Sequence, residues 1–232
     1  MRPPLLLLFD IDGTLLDSGG LGLISLEEGM IDAFQLEGRR QEMPVLDLAG
    51  ATDASVMRQL FAAFGVEDHA EHREKFLRSY EARLRHHLTA SHERVTCLPG
   101  VRPLLHYLGT RTEHLLALLT GNAERGAQAK LAAIGMESYF EFGAYGTDRE
   151  TRDELGWVAL ERARERGWKG DPDDMVIIGD TPKDVACARA VGARVLAVAT
   201  GSFSVSELEE AGADHVVRSL EGEESRRWLM NE

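Results

Sequence analysis

The chain has 232 residues, 44% of them hydrophobic, with two cysteines, a formal net charge of −13 at pH 7 and a pI near 5.1. That length accommodates one large domain or a core with a smaller insert, and the hydrophobic content is enough to bury a core. The negative balance argues against nucleic acid and anionic membranes as partners, since both select basic patches, but leaves room for a small anionic substrate where local cations or a metal reverse the field. Cys97 and Cys187 stand in unrelated contexts, so no disulfide framework is expected and a reducing, cytoplasmic setting fits. Arg2 followed by Leu5 to Phe9 has the outline of a signal peptide. That run is too short, ends in charged residues and is followed by no small-residue cleavage site. No segment approaches the roughly 18 apolar residues of a membrane span.

In chain order, Leu5 to Phe9 reads as a strand buried on both faces, as in a parallel sheet. It runs directly into Asp10 and Asp12, which share a side if the period-two geometry persists. Gly19, Gly20 and Gly22 then loosen the chain, and helices are expected at about Leu23–Phe34, Ala54–Phe64 and His69–Leu88, with no convincing strand between residues 23 and 90. After Pro99 and Gly100 the pattern changes. Val101–Leu108 reads as a helix, His114–Leu119 as a buried strand, Ala123–Ile134 as a helix stopped by Gly135, and Phe140–Ala144 as a short strand. A helix at Asp153–Arg166, with Thr151 or Asp153 as N-cap, precedes a strand at Met175–Gly179 and a helix at Asp184–Ala190. Arg194–Val198 is a strand, Ser204–Ala211 a helix and Ala213–Val217 a final strand. The alternation implies an α/β fold with a mostly parallel, doubly wound sheet, its core split into 1–16 and 97–232 around an all-helical insert of 17–96.

Three of the expected strands end in polar clusters: Asp10-x-Asp12-Gly13-Thr14, Thr120-Gly121-Asn122, and Gly179-Asp180-Thr181-Pro182-Lys183-Asp184. Ligands of open α/β sheets bind beyond the carboxyl ends of the strands, so the three clusters should converge. Carboxylates crowded at a strand end repel one another, and a divalent cation or a shared proton is the usual relief.

These motifs, in this order, resemble those of the haloacid dehalogenase superfamily, specifically phosphatases of the phosphoglycolate-phosphatase type with a helical type-1 cap, and the resemblance covers essentially the whole chain. It implies that Asp10 is the nucleophile, forming an aspartyl-phosphate, and that Asp12 is the acid that protonates the leaving alkoxide and then the base that activates water. It also implies Mg²⁺ held by the side chains of Asp10 and Asp180 and the backbone carbonyl of Asp12, with Asp184 a further ligand or a supporting partner. Thr120, Gly13, Thr14, Gly121 and Asn122 would surround the phosphoryl group, and the loop Gly50-Ala51-Thr52-Asp53 would face the substrate from the cap. Relatives that remove halide lack an acid at the position of Asp12, so its presence favours phosphoryl transfer.

The chain departs from the superfamily's usual phosphate-clamping lysine. Arg152 is the candidate to replace it and Arg149 the runner-up, while Lys169 lies too near Asp180 in sequence and Lys130 belongs to a different helix. Blander readings stand beside these roles. Asp10 and Asp12 could form a solvated turn, Thr120 could cap the following helix, Asp184 could complement a helix dipole, and Arg152 could pair at the surface with Asp148 or Glu154. The loop Gly50 to Asp53 could be plain, and His69, His72, His86, His87 and His92 fit polar helix faces better than a metal site. The expected activity is Mg²⁺-dependent hydrolysis of a small phosphorylated metabolite by a monomer or homodimer, with no nucleic-acid or membrane partner. A sugar-phosphate mutase and a non-catalytic phosphometabolite-binding protein are the alternatives.

Overall fold

A computed structural model describes residues 4–111 and 113–230, so Arg2 and the outermost ends of the expected core lie outside the described residues. The chain begins with β1 (Leu6–Phe9) and a two-residue β2 (Leu16–Asp17), then forms α1 (Leu21–Phe34), α2 (Asp53–Phe64) and α3 (Ala70–Ala90). A two-residue β3 (Thr96–Cys97) leads into α4 (Val101–Gly109), β4 (Leu115–Thr120), α5 (Glu124–Ile134) and β5 (Gly143–Tyr145). Then come α6 (Arg152–Glu165), β6 (Met175–Gly179), α7 (Pro182–Val191), β7 (Arg194–Val198), α8 (Val205–Glu210), β8 (His215–Val217) and α9 (Glu224–Met230).

Six strands form one parallel sheet in the order β5-β4-β1-β6-β7-β8. The first strand lies in the interior of the sheet, and the chain adds strands first on one side of it and then on the other. β1 is LLLF because it is covered on both faces. Leu7 and Phe9 pack with α4, α5 and α9, while Leu6 and Leu8 pack with α6 and α7. The register pairs Phe9 with Leu118 on one side and with Ile178 on the other, so β1, β4 and β6 end at one edge. Asp10, Gly121 and Asp180, each just past the end of its strand, therefore meet there, at the reversal in strand order where open α/β sheets bind ligands.

Between residues 21 and 90 the described chain is helical or irregular, and α1, α2 and α3 share their own apolar cluster around Leu60, Phe61, Phe76 and Tyr80. The links into and out of this unit run side by side, because β2 and β3 pair antiparallel (Leu16 with Cys97, Asp17 with Thr96). Two-residue strands carry no readable periodicity, and neither they nor α9 are anticipated by the sequence pattern. The other boundaries fall within three residues of expectation. Gly65, Gly135 and Gly192 end α2, α5 and α7 in the left-handed conformation. No described helix is long and apolar enough to cross a membrane.

Within the insert, α1 and α3 approach closely at Gly29, where an added Cβ would lie 2.8 Å from the Tyr80 backbone nitrogen. In an unconstrained helix, Gly→Ala gains up to about 1 kcal/mol. Here Gly29→Ala must push the helices apart, and a loss of about 1–3 kcal/mol is expected. Urea denaturation measures the sign directly, and a gain in stability would contradict the close packing of α1 on α3.

Candidate active site

The convergence of three strand ends produces a cleft of about 530 Å³. Asp10, Asp12, Gly13, Gly121, Asn122, Arg152 and Asp180 line it from the sheet edge; Leu23, Leu26, Leu48, Val56 and Tyr80 line it from the helical insert. Asp10 is buried, and its backbone N–H donates to the Ile178 carbonyl, so the residue continues the path of β1. Burial pushes its carboxyl up to about 6; the Arg152 guanidinium opposes this, while Asp184 and Asp12 reinforce it. Asp180 is pushed further, to about 8, by burial and by the charges of Asp10 and Asp184.

Arg152 answers part of that repulsion. It opens α6, and its side chain turns inward, 3.0 Å from Asp10 Oδ2 and 2.5 Å from Asp184 Oδ1. A cation at a helix N-terminus opposes the helix dipole, so these carboxylates account for its position. Burial alone would lower its affinity for the proton, yet Asp10 and Asp184 raise it. The surface pairing with Asp148 or Glu154 is not formed; Asp148 pairs instead with Arg162, and Glu154 accepts from Thr151. Arg149 is exposed and donates to its own neighbour's carbonyl, so it takes no part in the cleft.

Asp184 is buried and already committed. Besides Arg152, it accepts from the Thr181 N–H at 3.0 Å and the Thr181 hydroxyl at 2.7 Å, in a capping box at the start of α7. Of the two roles expected for Asp184, these bonds fit the supporting partner better than the ligand. Ligand oxygens of Asp10, Asp180 and Asp184 nevertheless lie within 4.8 Å of one another, and this buried triad could hold a metal ion. The donor set fits a hard divalent cation, and Asp10 and Asp180, raised by burial first and by neighbouring carboxylates second, would both be relieved by a positive charge placed among them.

Asp12 differs from expectation. Its side chain remains 41% exposed, facing the cleft, but it is not free to carry a proton at rest. Lys130 Nζ lies 2.8 Å from Oδ1 and 2.7 Å from Oδ2, and Asn122 Nδ2 donates to Oδ2 at 2.8 Å. Burial pushes the Asp12 carboxyl up, but Lys130, Asn122 and Ser18 together hold it below the usual carboxylate range. Lys130, set aside in the sequence as part of another helix, is thus part of this site. One signal was available: with Ala127, Leu131 and Ile134 it falls on the apolar stripe of α5, where an unpaired lysine would be costly.

Other expected contacts are redirected. Thr14 is buried and donates to Asp180 Oδ1 at 3.1 Å, so it steadies that carboxylate rather than facing a substrate. Gly13, at φ +78°, lines the cleft, where a Cβ would strike the Asp180 carboxylate. Thr120 is fully buried; its hydroxyl accepts from Asn122 Nδ2 at 2.8 Å and orients that amide instead of capping α5. Gly121 presents its carbonyl to the Asp53 N–H at 2.7 Å. Thr52, expected against the substrate, is buried, donates to the Glu150 carbonyl at 2.6 Å and caps α2. Asp53 lines the cleft, yet its Oδ2 accepts from the Ala123 N–H at 2.7 Å at the start of α5. The loop from Gly50 to Asp53 therefore fastens the insert to the sheet edge. The histidines lie outside this cluster, with His87 on Glu28 and His92 on the Ala133 carbonyl.

Comparison with known proteins agrees with this geometry. Residues 7–198 match the haloacid dehalogenase-like hydrolase family. A phosphoglycolate phosphatase from Chromobacterium violaceum is 28% identical over 220 residues, covering 91% of each chain. Among solved structures, a hydrolase from Pseudomonas syringae superposes with a TM-score of 0.67 at 22% identity, covering 93% of this chain and 94% of that one. CbbY from Rhodobacter sphaeroides, in complex with phosphate, does so with a TM-score of 0.67 at 19% identity, covering 94% and 96%. With the strand order, the convergent acidic cluster and a match spanning most of its length, this chain belongs to the haloacid dehalogenase-like hydrolase family.

Proposed function

We propose that the chain is a Mg²⁺-dependent phosphatase of small phosphorylated metabolites that works through an aspartyl-phosphate on Asp10. The observation that carries this reading is the separation of two neighbouring carboxylates into different environments. Asp10 is buried against Arg152 beside Asp180, whereas Asp12 faces the cleft on Lys130. Two carboxylates placed so differently are suited to different tasks.

Asp10 Oδ attacks phosphorus and the bond to the leaving oxygen breaks, while Asp12 supplies the proton that makes the leaving group an alcohol. Water then attacks the phosphorus of the aspartyl-phosphate, Asp12 accepts its proton, the Asp10–phosphorus bond breaks, and inorganic phosphate leaves. Because Asp12 rests ionised beside Lys130, the resting site is set for the second half of the cycle. The proton left on Asp12 by that half serves the next leaving group, or on a first turnover arrives with the phosphate monoanion. Arg152 neutralises Asp10 and Asp184 and lines the cleft, where its guanidinium can also meet phosphoryl oxygens. Asp10, Asp180 and the Asp12 carbonyl would hold Mg²⁺, which when bound supplies charge neutralisation between the nucleophile and an incoming phosphate.

The insert of residues 17–96 acts in this reading as a cap over the core of residues 1–16 and 97–232. Its apolar wall, with Tyr80 among Leu23, Leu26, Leu48 and Val56, suits a small organic leaving group rather than a polymer. The test is phosphate release from p-nitrophenyl phosphate and a panel of small phosphorylated metabolites, with Mg²⁺ and with chelator. Chelation and Asp10→Asn should each reduce kcat at least about 100-fold. Full activity after either change would exclude the mechanism, and conversion of a hexose phosphate into its isomer would favour a mutase instead.

The fastening of the cap yields a pH prediction. Burial pushes the Asp53 carboxyl up to about 6. Its unfolded value is near 4, so the folded state favours the protonated form, and stability falls as pH rises between those values. Two pH units correspond to about 3 kcal/mol. Asp53→Asn removes this titration, so the stability of the variant relative to the parent should improve by up to about 3 kcal/mol between pH 4 and pH 7. Urea melts of both proteins in chelator measure this difference, and a pH-independent gap would contradict a buried Asp53.

A further inference from the structure

Lys130 has a geometry that the proposed chemistry does not by itself require. It is 4% exposed, eight residues beyond Asn122 and on a helix that otherwise packs with apolar side chains. A lysine so buried is tolerated only when its ammonium is fully partnered. Among the described residues its hydrogen bonds all go to one constellation: both oxygens of Asp12, at 2.8 and 2.7 Å, and Asn122 Oδ1 at 2.7 Å. Asn122 closes the ring by donating to Asp12 Oδ2 at 2.8 Å and to Thr120 Oγ at 2.8 Å. The lysine tip lies against the first turn of α1, close enough to Gly22 that an added Cβ there would sit 3.5 Å from Nζ, at ordinary contact.

A carboxylate at the end of a short side chain has one free rotor about its terminal bond. Gripping both oxygens from one ammonium stops that rotation, and the amide of Asn122 fixes which oxygen is which. Positional errors of about 1 Å at a reacting group can cost about 100-fold in rate. We propose that Lys130 is a positioning residue that locks the Asp12 carboxylate in line to accept the proton of the water attacking the aspartyl-phosphate. Lys130 keeps its own protons throughout; the water proton moves to Asp12, and Asp10 leaves as a carboxylate. The phosphorylation of Asp10 by an ester with a good leaving group needs no proton from Asp12 and depends far less on this lock.

The inference rests on the phosphatase reading, and the experiment keeps the two apart. Rapid-mix assays with p-nitrophenyl phosphate and Mg²⁺ compare the parent, Lys130→Gln, Lys130→Arg and Asp10→Asn. In Lys130→Gln the release of p-nitrophenol should show a burst approaching one equivalent per chain, followed by a steady rate about 10–100-fold below the parent. Its kcat should fall while kcat/KM, which reports on phosphorylation, falls much less. Lys130→Arg, which keeps a cation but not the same single-atom grip, should recover part of kcat. A lysine needed only for packing would lower kcat and kcat/KM together and give no burst; that result, or no loss at all in either variant, would overturn the assignment. Failure of the parent itself to release p-nitrophenol, or an undiminished Asp10→Asn, would instead defeat the phosphatase reading.

Discussion

The site depends on the repulsion among carboxylates that the parallel sheet forces together. Four of them crowd together, Asp10, Asp12 and Asp180 just past adjoining strand ends and Asp184 in the first turn of α7, and among the described residues the two cations bonded to them are Arg152 and Lys130. Each cation is buried, and each is specific. Arg152 spans Asp10 and Asp184, whereas Lys130 holds Asp12. Asp180 is left with a threonine hydroxyl as its side-chain partner, and it is the carboxyl pushed highest, to about 8. Formal charge is therefore two units short of balance, a deficit that one divalent cation removes without rearranging either arginine or lysine.

In the proposed mechanism this division of charge also divides the labour. A carboxylate against a guanidinium in a buried wall is fixed and shielded from water, which suits a nucleophile that must form and break one bond. A carboxylate held by an ammonium on the open side of the cleft can exchange protons with what enters. The loop from Gly50 to Asp53 is coupled to the same network. Asp53 accepts from the N–H of Ala123, the N-cap of α5, the helix that carries Lys130. The apolar wall of the cleft and the helix that carries Lys130 thus share one fastening point, through which the proposed mechanism would link the insert to the placement of Asp12.

Much of this was legible from the residues. Buried strands without polar interruption, each ending in Asp or Thr-Gly-Asn, predict a parallel sheet with a convergent edge, and the register bears this out. Arg152 could be picked out because it precedes a helix at a distance from Asp180 that suits the motif. Side-chain direction was not legible. Thr14 and Thr52 sit in the expected motifs, yet their hydroxyls turn to Asp180 and to the Glu150 carbonyl, since buried hydroxyls take the nearest acceptor. Lys130 was missed for a related reason. Its helix is defined by spacing, and spacing says which face a residue occupies but not that a carboxylate from a strand 118 residues earlier waits on that face. The β2–β3 ribbon escaped because two residues cannot show a period.

Proton-linked cation binding measures the charge deficit of the carboxylate cluster. Burial first, and the neighbouring carboxylates second, push Asp180 up to about 8 and Asp10 to about 6, so the metal-free pair favours keeping a proton near neutral pH. Binding of Mg²⁺ must expel it. Isothermal titration calorimetry at pH 7 in two buffers of different ionisation enthalpy measures the protons released per ion bound. One Mg²⁺ per chain should bind with net release of protons. Binding without proton release, or no binding at millimolar Mg²⁺, would contradict the charge deficit.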